Sequence, residues 1–197
     1  MRALLVVGWL MVPLGVAIWH YGPGQDRVQL DKVAAMLAKA DQHAAAADWT
    51  EAVFQYDEAL RTLPADRKAE ARRVRLERAK AQMNARQLPQ AHADLQSLVE
   101  ELKGDEKADA KLLAGARAAL ASAQYYMTWL LRLEGQPREL WEPEIEAARQ
   151  TYRLLAEEAD EHGDGAVAEQ NRADLESAIR LARMDLSELQ GLPLPSQ

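Results

Sequence analysis

The chain has 197 residues, no cysteine and a formal net charge of −7. The absence of cysteine excludes disulfides, thiol catalysis and cysteine-based metal centres. The acidic balance gives no basic footprint for nucleic acid. Alanine, leucine, glutamate, glutamine and arginine dominate, a bias that favours helix over sheet.

Residues Ala3 to Trp19 (ALLVVGWLMVPLGVAIW) form the one long uncharged apolar run. As a helix it would reach about 25 Å, slightly short of a ~30 Å hydrocarbon core. Trp19 and Tyr21 stand where an interfacial aromatic belt would lie. The run is read as a retained single-pass transmembrane anchor. The competing readings are a cleaved signal peptide, with Gly15 and Ala17 before the cut, and a buried helix of a soluble protein. A two-residue tail has nothing to translocate, so the helical domain is expected on the extracytoplasmic side (periplasmic if the source is bacterial). Charges flanking the run barely discriminate the orientation. Residues 1–24 are therefore assigned to the anchor and a short Gly22-Pro23-Gly24 linker, residues 25–190 to one helical repeat domain, and residues 191–197 to an extended, flexible tail.

The helical pattern begins near Asp26 and continues to about Ala47, with a partner helix from Trp49 to Leu63. Asp48 and Glu51 are spaced as a capping box. Ala52, Tyr56, Ala59, Leu60 and Leu63 recur on one helical face, and Pro64 ends the run. Ala40 and Ala52 lack bulk, so the two axes can approach closely. A lone hairpin of this kind cannot bury its outer faces and needs stacked neighbours.

The stretch from Ala38 to Pro64 resembles the tetratricopeptide repeat (TPR) family. The resemblance is carried by Ala40, His43, Ala47, Trp49, Ala52, Tyr56, Ala59, Leu60 and Pro64. It departs at His43, where an aromatic ring is more usual, and at Lys39, where leucine is expected. A second, weaker unit runs from Asp66 to Lys103. Its first helix carries Val74, Leu76, Ala79 and Met83; its second carries Leu88, Ala91, Leu95, Leu98 and Leu102. Pro89 suits a helix start and Gly104 a C-cap. The spacing from Ala52 to Ala91 exceeds the roughly 34-residue period of the family.

A third unit is degenerate. A helix is expected from about Asp105 to Leu133, then a long loop (GQPRELWEP), then a helix from about Glu144 to Glu161 carrying Ala148, Tyr152 and Leu155. A last helix from about Ala166 to Gln190 places Leu175, Ile179, Ala182 and Leu186 on one face and charges on the other, as a terminal capping helix should. The expected architecture is all-α: antiparallel helical hairpins stacked as a short TPR-like solenoid behind one transmembrane helix.

The resemblance implies a groove lined by the first helices of the repeats. Carried onto this chain, it is lined by Leu37, Asp41 and Ala44, then Arg73, Leu76, Lys80, Met83 and Asn84. The family's Lys/Asn clamp for a terminal carboxylate is replaced by Leu37 and Asp41, which makes that partner class a poor fit. The basic run Arg67 to Lys80 reads mostly as a surface of i, i+4 salt bridges with Glu70 and Glu77, and in part as a face for an acidic partner segment. Tyr125, Tyr126, Trp129 and Trp141 form an aromatic cluster, read as core filling, with Tyr126 and Trp129 as a rival docking patch.

His20, His43, His92 and His162 show no metal-ligand spacing, and no cofactor or metal is expected. The acidic stretch Glu157 to Asp164 reads as a solvated helix end. No catalytic constellation meets the geometric requirements for a site. The expectation is thus a non-catalytic interaction scaffold, or an assembly subunit, tethered to a membrane and binding a partner protein. The alternatives are a soluble exported peptide-binding module and an accessory subunit of a membrane enzyme complex whose chemistry lies on another chain.

Overall fold

The computed structural model describes residues 23–190, and every regular element among them is helical. The expected anchor at 3–19, Gly22 and the tail at 191–197 lie outside the described residues. Among those described, no helix is long and apolar enough to cross a membrane. The helices are α1 (Pro23–Ala45), α2 (Trp49–Thr62), α3 (Lys68–Asn84), α4 (Leu88–Lys103), α5 (Ala110–Leu133), α6 (Arg138–Glu161), α7 (Gly165–Arg183) and α8 (Leu186–Gln190). Pro23 opens α1, so the expected linker is shorter at its C-terminal side: proline at a first helical position loses no bond the helix could have made. The chain forms two compact units, Met1–Ala71 and Arg72–Gln197, and the division falls inside α3.

In the first unit α1 and α2 form a hairpin. Ala40, Ala52 and Ala59 are fully buried and Val53 and Tyr56 nearly so, as small residues at a close helix contact require. The Tyr56 hydroxyl donates to Asp41 Oδ1 at 2.7 Å, which joins the two helices at their inner ends. Gln29 Nε2 donates to the Thr62 carbonyl at the other end. The expected capping box does not form. The Asp48 carboxylate turns instead to His43 Nδ1 at 3.1 Å, and Glu51 accepts from Gln55 Nε2 at 2.9 Å. Leu63 is extended ahead of Pro64, and the helix stops there.

One turn geometry recurs across both units. Ala47, Arg86, Gly135 and Gly163 have φ of 58°, 62°, 70° and 74°. Each is followed by a residue whose N–H reaches back five positions: Asp48 to His43, Gln87 to Gln82, Gln136 to Leu131 and Asp164 to Ala159, all at 2.9 Å. This is the Schellman closure, in which a left-handed residue lets the chain satisfy the last carbonyls of one helix while reversing into the next.

In the second unit Leu76 and Ala79 of α3 pack with Leu88, Leu95, Leu98, Val99 and Leu102 of α4 against Ala116, Ala119 and Ala123 of α5. A second core joins Ala121 and Trp129 of α5 to Ile145, Ala148 and Tyr152 of α6, Ala178 and Leu181 of α7, and Leu189 of α8. α5 is therefore packed on two sides, which its run of alanines permits.

The sequence misplaced three boundaries here. α5 begins at Ala110 rather than Asp105, because Asp109 caps it by accepting from the Lys111 N–H at 3.0 Å. The long loop before α6 does not exist. α6 starts at Arg138 and carries Pro143 inside it, where the missing N–H costs one bond near the helix start. With 24 residues each, α5 and α6 outrun the 17 of α3 and 16 of α4, which accounts for the stretched spacing of the third hairpin. The last helix is two. Met184 is extended, and Asp185 and Glu188 exchange side chain-to-backbone bonds at 2.8 Å, a capping box that starts α8. That restart rotates the face: Leu186 is exposed and Leu189 is buried.

Candidate functional site

The residues expected to line a groove divide between the units. Leu37 and Asp41 belong to the first; Asp41 is spent on the Tyr56 hydroxyl, and Leu37 is half-buried. Arg73, Leu76, Lys80, Met83 and Asn84 belong to the second. Leu76 is only 5% exposed and sits in the core, so it presents no apolar surface for a ligand, while Met83 is half-buried and packs against that core. Asn84 Nδ2 donates to the Lys80 carbonyl at 2.9 Å.

The basic run of α3 is neutralised by its own protein. Arg72 bridges Glu101 at 2.8 Å and Asp105 at 2.6 Å, Arg75 joins the same Glu101, and Arg78 meets Asp94 at 2.7 Å. Arg73 reaches Asp109 at 3.2 Å and Lys80 reaches Glu77 at 2.9 Å. Hydrogen bonds from Arg72 hold the Glu101 and Asp105 carboxyls below the ordinary carboxylate range. The expected i, i+4 pairs are thus replaced. Two i, i+3 pairs remain, Arg67–Glu70 and Lys80–Glu77, while the other arginines reach α4 and the segment after it. The local cationic face that suggested an acidic partner is discharged by these contacts.

The aromatic cluster separates into core and surface. Trp129 is 7% exposed and fills the second core, so the rival docking role is not available to its ring. Trp141 is half-buried beneath two guanidinium groups, Arg132 at 4.8 Å and Arg138 at 5.9 Å from the ring centroid. Arg132 also donates to the Leu181 and Met184 carbonyls, satisfying the exposed C-terminal end of α7. Tyr125 and Tyr126 are half-buried and meet edge to face, with centroids 5.4 Å apart.

Those two tyrosines open onto a cavity of about 230 Å³ lined by Ser122, Tyr125 and Tyr126 of α5, Tyr152 of α6, and Asp174 and Ser177 of α7. The Tyr152 and Ser122 hydroxyls lie 3.1 Å apart. Burial pushes the Tyr152 hydroxyl up to about 12, and burial, with Tyr126 next, also raises that of Tyr125. These phenols stay neutral near pH 7 and keep their protons to donate. Asp174 Oδ1 accepts from Gln170 Nε2 at 3.1 Å. Its charge is felt at both Tyr125 and Tyr152. Of this set the sequence singled out Tyr125 and Tyr126, and it read Tyr152 as packing only. Ser122, Asp174 and Ser177 gave no signal, because nothing in a sequence brings together side chains from three separate helices.

The described histidines, His43, His92 and His162, take structural partners. His92 Nε2 faces Glu144 Oε2 at 3.1 Å, a pair unsuspected from the sequence, and His162 Nδ1 faces the Glu158 carbonyl at 2.6 Å. The Glu158 carboxylate pairs instead with Arg117 at 3.2 Å. Among the described residues no three metal-ligating side chains converge. No protein-family model matches this sequence, and no curated protein matches it.

Proposed function

We propose that this protein is a non-catalytic, TPR-like interaction scaffold that holds a partner protein, with residues 3–19 tethering it to a membrane. The observation that carries the reading is the recurrent turn. Four helix connections close with a left-handed residue and a 2.9 Å bond, so each of these helices reverses directly into the next, as hairpin repeats require. Such arrays present extended side-chain surfaces rather than enclosed reaction chambers. Within the second unit the surface best suited to a partner is the tyrosine-lined cavity. It is half-exposed, aromatic and polar, and tyrosine is enriched where proteins make their tightest contacts. The salt-bridged face of α3 is less suited, since a partner would first have to displace existing ion pairs.

The test uses the full-length chain in its own membranes, with a photo-crosslinking residue at Tyr126 or, separately, at Lys80. One discrete protein adduct from position 126, and a weaker one or none from position 80, is the expected result. Failure to form an adduct at either position, with the chain membrane-bound and helical, would overturn the scaffold reading. An adduct from position 80 alone would return the binding surface to α3.

A further inference from the structure

We propose that the cavity between α5, α6 and α7 receives a basic side chain of a partner polypeptide, its ammonium or guanidinium group set against Asp174 and the tyrosine rings. The inference deepens the scaffold reading and rests on it. Three observations converge on a cation. First, the lining contains one charged group, and it is a carboxylate: Asp174, with Ser122, Tyr125, Tyr126, Tyr152 and Ser177 supplying hydroxyls. Asp174 Oδ1 accepts from Gln170, which leaves Oδ2 without a partner among the described residues.

Second, three aromatic rings border the same space. The faces of tyrosine rings are electronegative and attract cations within about 6 Å, more strongly when water is excluded. Tyr152 is itself 4% exposed and forms the inner wall of the cavity. Arg180 of α7 is bound to Glu176 at 3.1 Å and its charge is felt at Tyr125 ahead of that of Asp174, yet among the described residues no cationic side chain lines the cavity.

Third, the size selects the ligand. At about 230 Å³ the cavity lies below the roughly 300–1,000 Å³ of sites that enclose whole small molecules or cofactors. It suits one long side chain entering from the surface. An anion would meet Asp174 unfavourably, and a purely apolar chain would leave the carboxylate and the free phenols of Tyr125 and Tyr126 without partners.

The full-length protein in detergent, labelled with 13C on its tyrosine rings, is titrated with Nα-acetyl-lysinamide, Nα-acetyl-argininamide and the neutral isostere Nα-acetyl-norleucinamide. The two cationic probes should move the ring signals of Tyr125, Tyr126 and Tyr152 saturably at millimolar concentration, and norleucine should not. Asp174→Asn keeps the shape and an acceptor for Gln170, and should weaken both cationic probes about tenfold, the ratio that 1.4 kcal/mol represents. Helicity measured by circular dichroism shows whether that variant stays folded, and Asp174→Glu should restore part of the affinity. Equal titration by norleucine, an unchanged affinity in the Asp174→Asn variant, or no saturation below about 100 mM would each overturn the proposal. A crosslinked partner at position 126 together with any of those results would reject the cation and leave the scaffold standing.

Discussion

The recurrent turn permits a prediction with opposite signs at equivalent places. Gly163 has φ of 74° and an added Cβ would meet nothing within 4 Å, so the cost of Gly163→Ala is conformational alone. A non-glycine residue in the left-handed region costs roughly 1–2 kcal/mol, and replacing glycine by alanine recovers roughly 0.4–1 kcal/mol from the unfolded chain. The net expectation is a loss of about 1 kcal/mol. Ala47, at φ of 58°, already carries that strain, so Ala47→Gly should gain about the same amount. The two positions fall in different units, and the effects should therefore appear on different amides. Native-state hydrogen exchange measures this directly, since each substitution shifts the opening free energy of the helices around it. Ala47→Gly should slow exchange about fivefold in α1 and α2, and Gly163→Ala should hasten it comparably in α6 and α7. Unchanged exchange in the Gly163→Ala variant, or faster exchange in Ala47→Gly, would refute the assignment of strain to these turns.

Gly115 sits inside α5, and a Cβ there would stand 3.5 Å from Leu76 Cδ2, an ordinary contact. Gly115→Ala should therefore stabilise the second unit by about 0.5–1 kcal/mol, read from its urea midpoint at unchanged slope; a loss would mean α3 and α5 lie closer than this. Ala52→Leu inserts bulk at a fully buried helix contact and should cost about 1–3 kcal/mol; an unchanged melting temperature would show that α1 and α2 do not meet there. The Glu144 carboxyl is held below its ordinary value of 4.5 chiefly by the hydrogen bond with His92, against the opposing effect of burial. A depressed carboxyl pKa adds stability that is present above the unfolded value and is lost as pH falls through the folded one. Glu144→Gln should accordingly be less stable by about 1 kcal/mol at pH 6, and the gap should close as the pH falls below that folded value. An equal gap at pH 6 and pH 3 would show that the His92–Glu144 pair does not carry the effect.

Local patterning was legible wherever one residue's chemistry decides the backbone. The face Ala52–Tyr56–Ala59 reads from its spacing, and Leu95, Leu98 and Leu102 likewise; all six are buried. Turns at Gly135 and Gly163 are visible because glycine is the residue that enters the left-handed region freely. The same turns at Ala47 and Arg86 carry no such mark, although their geometry is equivalent. Pro143 misled in the other direction. Two prolines in nine residues suggest a loop, yet Pro137 precedes the helix and Pro143 falls early enough within it that a single bond is lost. The capping box at Asp185 and Glu188 was present in the sequence but hidden, since the helical pattern continued across it and gave no reason to seek a second start.

The partners of charged and hydroxyl groups were the illegible part, and the reason is distance along the chain. Arg72 and Asp105 are separated by 33 residues, and Ser122 and Tyr152 by 30. A local reading pairs each arginine with the nearest glutamate on its own helix, where a surface pair contributes only a few tenths of a kcal/mol. The hairpin offers Arg72 something better: two carboxylates at once, with its own side chain only 14% exposed. The outcome bears on function as much as on packing. Pairing within the protein removes the cationic face from α3, whereas Asp174, the carboxylate lining the α7 side of the tyrosine cavity, keeps one oxygen without a protein partner among the described residues. The charge that lines the cavity is therefore negative and sits on α7, where neither the composition of that helix nor its spacing distinguished Asp174 from the solvated acids around it.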